Sequence, residues 1–124
     1  MLGIDIIKTS RMQKMMERFG NKALEKFLHV EEIKLVKNYK TASGFWATKE
    51  AFSKALGTGI GADCSFHDIK IYKTVKGAPQ LALSQKIIEK FSIKEVALSI
   101  THDGEYAISV VEVKSTTTNK IKQF

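Results

Sequence analysis

The chain contains one cysteine, one proline and one tryptophan in 124 residues. A lone Cys64 excludes an internal disulfide and cannot build a cysteine metal cluster. No apolar run approaches the roughly 18–20 residues needed to span a bilayer, which excludes a membrane helix. The opening MLGIDIIK lacks the basic-then-apolar pattern of an export signal, so the cytoplasm is the expected compartment. Negative charge is also scarce: 13 Asp and Glu stand against 20 Lys and Arg, a net charge of +7. Such a field favours an anionic partner and speeds encounter by roughly ten- to a thousand-fold. It does not choose among nucleic acid, a phosphorylated cofactor and an acidic protein. What is present fits a soluble domain, with 44% hydrophobic and 27% charged residues. The length suits one domain that buries roughly two-thirds of its unfolded surface.

The hydrophobic period changes along the chain. Leu2 to Ile7, apolar and β-branched but broken by Gly3 and Asp5, reads as a short buried strand. Thr9 or Ser10 then caps a helix to about Phe19, stopped by Gly20-Asn21, with further helical pieces over about 22–28 and 31–39. A longer helix is expected from Ala42 or Ser43 to Gly57. In the second half, partial alternation over 66–75 and the turn Lys76-Gly77-Ala78-Pro79 give a strand, a turn and a strand to Leu83. Ser84 caps a short helix to about Phe91. Strands over 96–101 and 106–114 are joined through His102-Asp103-Gly104-Glu105, where Asp-Gly is the hairpin signal. The last strand is apolar on both faces, which implies cover on both, by helices or another subunit. The expected architecture is one α+β domain over 1–114, a mainly antiparallel sheet packed by helices. A polar, loose tail follows over 115–124.

Within FWATKEAFSKALGTGIG (45–61), 100° steps place Ala47, Thr48, Ala51, Phe52, Ala55, Leu56 and Phe45 on one mostly apolar half. Lys49, Glu50, Ser53 and Lys54 crowd the other side with Trp46. The plain reading is a solvated face with a Glu50–Lys54 i,i+4 ion pair. Two features pull against it. Trp46 is too large and apolar to suit open solvent and could cover a partner or ligand. Asp5, a carboxylate within an apolar strand, needs a partner, because aspartates are almost never fully buried unpaired. Taken alone, Asp5 reads as a strand-end residue accepting backbone hydrogen bonds. Together, Asp5 and Glu50 offer two hard oxygen ligands for Mg²⁺, which completes its shell with waters and phosphate oxygens. Gly57, Gly59 and Gly61 follow the helix and so sit at its wrong end for a phosphate loop. Gly57 is read as a left-handed C-cap.

These stretches resemble a known family. Gly3-Ile4-Asp5-Ile6-Ile7, the run Trp46 to Gly61 and Ser99-Ile100-Thr101-His102-Asp103 are similar to the signatures of holo-acyl-carrier-protein synthases. These are the small, homotrimeric group of 4′-phosphopantetheinyl transferases. The likeness extends through Lys76 to Pro79 and covers about residues 1–114. It implies the 4′-phosphopantetheinyl transferase fold and transfer of the phosphopantetheine arm of coenzyme A to a serine of apo-acyl carrier protein, for fatty acid synthesis. It further implies Mg²⁺ held by Asp5 and Glu50, with Lys54 neutralising phosphate. Lys49 is assigned to a coenzyme phosphate or to orienting Glu50, and Ser53, Gly57 and His102 to the neighbourhood of the coenzyme. Without the resemblance, His102 is a hairpin-turn residue. The serine's proton goes to Glu50, directly or through a water. In one respect the chain departs from the pattern: many members carry an arginine where Phe45 stands, and another basic residue, with Lys40 nearby in sequence, must compensate.

Arg11, Lys14, Met15, Arg18 and Lys22 recur at helical offsets and form a basic strip with one apolar member. A solvated basic face is the plain alternative. The resemblance makes the strip the surface for the acidic carrier protein, where complementary charge speeds encounter and selects partners. It also implies a homotrimer with sites at subunit interfaces. Two other functions compete. One keeps the chemistry on a polyketide or peptide-synthesis carrier domain. The other is a non-enzymatic basic nucleic-acid-binding module. It lacks an aromatic RNA platform and a dedicated basic arm, so no nucleic-acid partner is expected.

Overall fold

The computed structural model describes residues 1–116 and 121–124. In chain order it contains β1 (Leu2–Lys8), α1 (Thr9–Phe19), α2 (Asn21–Glu25), α3 (Val30–Ile33) and α4 (Tyr39–Leu56). A 3₁₀ turn (Phe66–Asp68) leads into β2 (Ile69–Lys73), then β3 (Pro79–Leu83), α5 (Gln85–Phe91), β4 (Ile93–Asp103) and β5 (Tyr106–Ser115). Every strand pair is antiparallel, and the α+β class expected from the sequence is the one found. Strands β1-β5-β4 form the main sheet, while β2 and β3 form a separate hairpin. The first strand therefore pairs with the last, with Asp5 opposite Ser109. The hairpin turn is Gly104-Glu105: Asp103 still belongs to β4 and pairs with Tyr106, and Gly104 takes φ 56°, a value glycine adopts without Cβ strain.

Helix α4 lies across the inner face of the main sheet, with a small residue of the strand or of the helix at each crossing. A Cβ on Gly3 of β1 would stand 1.8 Å from the Ala51 carbonyl oxygen, so only glycine admits the helix there. Over β5, Thr48 Oγ1 meets Ser109 Oγ at 2.8 Å. Beside β4, a Cβ on Gly44 would lie 3.0 Å from Ile100 and 3.2 Å from His102 Nε2. The helix starts four residues or so before the expected Ala42 or Ser43 because the Asn38 side chain accepts from the Lys40 and Thr41 amides. It ends as expected at Gly57, left-handed at φ 80°. Two apolar clusters flank it, one around Met12, Phe27, Phe45 and Ile71, the other around Phe52, Ile69, Ile87 and Val111.

Several local expectations change. Lys8, not Thr9 or Ser10, is the N-cap of α1, and the Thr9 hydroxyl donates instead to the Glu105 carbonyl in the distant hairpin turn. Helix α3 closes at Ile33, well short of residue 39. Trp46 is half-buried, and its ring packs against Phe27 and Phe66 at centroid distances of 5.0 and 4.8 Å. Strand β4 is longer at both ends than 96–101, and β5 runs on to Ser115. Of the expected tail, residues 117–120 lie outside the described residues. Ser84 caps α5 as expected. On the outer face of the main sheet, Leu2, Ile4 and Ile6 are 69%, 60% and 56% exposed beside Ile108 and Val110. Among the described residues, no helix is long and apolar enough to cross a membrane.

Candidate active site

At the β1 edge of the sheet, Lys54 Nζ donates to Asp5 Oδ1 at 2.9 Å and to the Ile4 carbonyl at 3.3 Å. Asp5 is 15% exposed and Lys54 53%. Glu50 sits one turn earlier on α4 and is half-buried. Burial, and then the Asp5 charge, push its carboxyl above the ordinary carboxylate range, while Lys54 pulls it back. The expected Glu50–Lys54 ion pair is absent among the described residues; Lys54 prefers Asp5. Among the described residues, no hydrogen bond reaches the Glu50 carboxylate, and one Asp5 oxygen takes none. Two mutually repelling carboxylates with open oxygens fit a small hard cation by the chemistry of their donors. Beside them, Lys54, Gly57, Lys90 and the first two residues line a hollow of about 490 Å³.

Two residues expected at the coenzyme lie elsewhere. Lys49 is completely buried and points away from Glu50. Its three donors go to the Phe27 carbonyl (2.7 Å), Glu32 Oε1 (2.8 Å) and the Phe66 carbonyl (3.0 Å). Burial pulls its ammonium below the usual lysine range, against the opposing effect of Glu32. None of its three donors is left for a phosphate or for Glu50. Ser53 is likewise buried, its hydroxyl donating at 2.7 Å to the Glu50 carbonyl in the turn above. The helical wheel misplaces both because it cannot see that other segments cover their flank of α4, while Trp46, Glu50 and Lys54 keep some exposure beside it.

His102 lies at the opposite edge of the sheet, on β4. Its Nε2 is 2.9 Å from the Lys40 carbonyl, and its ring borders a cleft of about 440 Å³. Thr41, Gly44 and Phe45 of α4 form the cleft floor; Lys37, Lys73 and Pro79 stand around it. Lys37 and Lys73 are exposed cations that sequence reasoning did not single out. Only the turn at 76–79 pointed to this wall. Phe45, at the family's arginine position, is 2% exposed and belongs to the core cluster while touching the cleft. On α1 and α2, Arg11, Lys14, Arg18 and Lys22 are exposed with Met15 half-buried among them, so the basic strip exists as a surface.

A family model of the 4′-phosphopantetheinyl transferase superfamily matches residues 1–111. The chain is 65% identical over 121 residues to the holo-[acyl-carrier-protein] synthase of Sulfurimonas denitrificans, covering 98% of this chain and 100% of that one. It is 58% identical to the Aliarcobacter butzleri synthase of the same name, covering 90% and 94%. The crystal structure of Helicobacter pylori holo-[acyl-carrier-protein] synthase in complex with coenzyme A superposes with a TM-score of 0.89 at 46% identity. That match covers 92% of this chain and 100% of that one. The chain belongs to the 4′-phosphopantetheinyl transferase superfamily. Within it, these relatives are all holo-[acyl-carrier-protein] synthases.

Proposed function

We propose that this chain transfers the 4′-phosphopantetheine arm of coenzyme A to a serine of apo-acyl carrier protein, releasing adenosine 3′,5′-bisphosphate, in cytoplasmic fatty acid synthesis. The observation that carries this reading is the β1-edge cluster: Asp5 held by Lys54 beside a half-buried, unpartnered Glu50. In the reaction, the serine oxygen forms a bond to the β-phosphorus of the coenzyme pyrophosphate as the bond to the bisphosphate breaks. Asp5 and Glu50 are the residues that would hold Mg²⁺, which supplies charge neutralisation on the pyrophosphate when bound. Lys54 adds a positive charge at the same place. Glu50 would take the serine proton, directly or through a water.

His102 belongs to the same reaction through a second copy of the chain. Within one chain, α4 separates it from the carboxylates: His102 is on the β4 edge and Asp5 on the β1 edge. At about 1.5 Å rise per residue, Gly44 beside His102 and Lys54 beside Asp5 stand about 15 Å apart along the helix. A homotrimer in which one copy's β4 edge faces the next copy's β1 edge joins the cleft to the carboxylates. It also covers Leu2, Ile4 and Ile6. In this arrangement Lys37 and Lys73 supply the phosphate charge that Phe45 does not. The strip Arg11, Lys14, Met15, Arg18 and Lys22 receives the acidic carrier.

The test is intact-mass analysis of apo-acyl carrier protein incubated with the protein, coenzyme A and Mg²⁺. One added phosphopantetheine, lost with EDTA, Asp5→Ala or Glu50→Ala, is expected. An unchanged mass with folded protein and several apo-carriers would refute the transferase reading. Light scattering should give the mass of three chains.

A further inference from the structure

The cleft beside His102 is walled by segments that do not belong to the main sheet. One wall is Leu35 and Lys37, just after α3; the other is Lys73, Gly77 and Pro79 of the β2–β3 hairpin. Among the described residues, the hairpin shares no strand pairing with β1-β5-β4, and no strand pairs with the second edge of β2. Its edge amide at Ile71 is taken up by a side chain: Glu32 Oε2 accepts from Ile71 N–H at 2.9 Å. The other oxygen of Glu32 accepts from the His29 amide at the start of α3 and from Lys49, both at 2.8 Å. Lys49 in turn holds the Phe27 and Phe66 carbonyls, ahead of α3 and of β2 respectively. Both side chains are fully buried, and the backbone groups they serve lie at Phe27, His29, Phe66 and Ile71.

We infer that the Lys49–Glu32 pair is a positioning device for the cleft, fastening its two walls to α4 so that the opening matches the bound coenzyme. The inference rests on the reading that coenzyme A occupies this cleft. A packing ligature of apolar side chains would fill the same volume but could not fix the hairpin by a directed bond to Ile71. The geometry separates this pair from the chemistry. Neither residue reaches the Asp5–Glu50–Lys54 cluster, so its loss should weaken coenzyme binding and leave the chemical step alone.

The decisive variant is Lys49→Met with Glu32→Gln, which removes both charges together and leaves neither buried unpaired. The wild-type enzyme is measured first by the mass assay. If it transfers nothing, the transferase reading falls and takes this inference with it. With active wild type, the double variant should raise the KM for coenzyme A by about tenfold or more. Its kcat should stay within about twofold and its KM for apo-carrier should not change. Glu32→Asp keeps the ion pair but is too short to hold Lys49 and Ile71 together. It should shift the same KM in the same direction, and it decides the matter if the double variant does not fold. A purely structural role predicts lower apparent kcat from a smaller folded fraction at unchanged KM for coenzyme A. That result in either variant overturns the inference.

Discussion

Helix α4 carries two lysine–carboxylate pairs five positions apart, Lys49 with Glu32 at 2.8 Å and Lys54 with Asp5 at 2.9 Å. As contacts they are almost identical. Their surroundings are opposite: the first is sealed in the core with every donor used, the second is open on one side next to an unpaired carboxylate. The same bond fixes a structure in one place and leaves reactive capacity in the other. The difference lies in what remains unsatisfied after the pair forms. A fully satisfied polar cluster specifies geometry. A half-buried carboxylate without a partner stores affinity for a cation.

The largest test of this contrast is Glu50→Gln. Transfer should fall by about a thousand-fold, on the order of the several kcal/mol a metal contributes to charge stabilisation. The metal-free fold should nevertheless gain stability at neutral pH. The sign follows from the raised Glu50 carboxyl: its favourable state is protonated, so its contribution is present at low pH and lost as pH rises through its folded value. Removing the charge therefore raises the melting temperature, and the wild-type gap should close as the pH is lowered. A melting temperature that drops in Glu50→Gln would mean that Glu50 has a protein partner.

Next comes Lys49→Met alone. It strands the Glu32 carboxylate in the core and should cost about 3–5 kcal/mol, measured by urea unfolding. An effect below about 1 kcal/mol would put Lys49 in the surface class. The smallest expected stability change belongs to Lys54→Met, within about 1 kcal/mol because the ammonium is half in solvent. Its transfer activity should still fall by well over tenfold. If unfolding and activity change in proportion for both lysines, the distinction between the two pairs is false.

How far the sequence reaches can be traced along this helix. Asp5 and Glu50 were legible, because a carboxylate in an apolar strand and a charged window in a helix are both local anomalies. The α5 cap at Ser84 and the Asp-Gly hairpin were legible for the same reason: their signals lie within four residues. Lys49 was not. A helical wheel places it beside Glu50, and only the arrival of Glu32 from α3, 17 positions earlier, turns that flank into core. The packing of Trp46 was hidden for the same reason, since Phe27 and Phe66 reach it from distant segments. The cleft walls at Lys37 and Lys73 were invisible because a hairpin's place beside a helix leaves no periodic trace. The early start of α4 was there to be read in Asn38 as a cap.

The pairing of β1 with β5 has a consequence for synthesis. Asp5 belongs to the first strand of the fold, yet its place in the sheet is opposite Ser109 in the last. Met1 is likewise tied by its amino group to the Val113 carbonyl. A nascent chain still held at the ribosome before Tyr106 has Glu50 and Lys54 but no strand on which to seat Asp5. The sheet pairing that backs the two-carboxylate cluster therefore forms only after β5 has been made, and a chain stopped before Tyr106 should lack it.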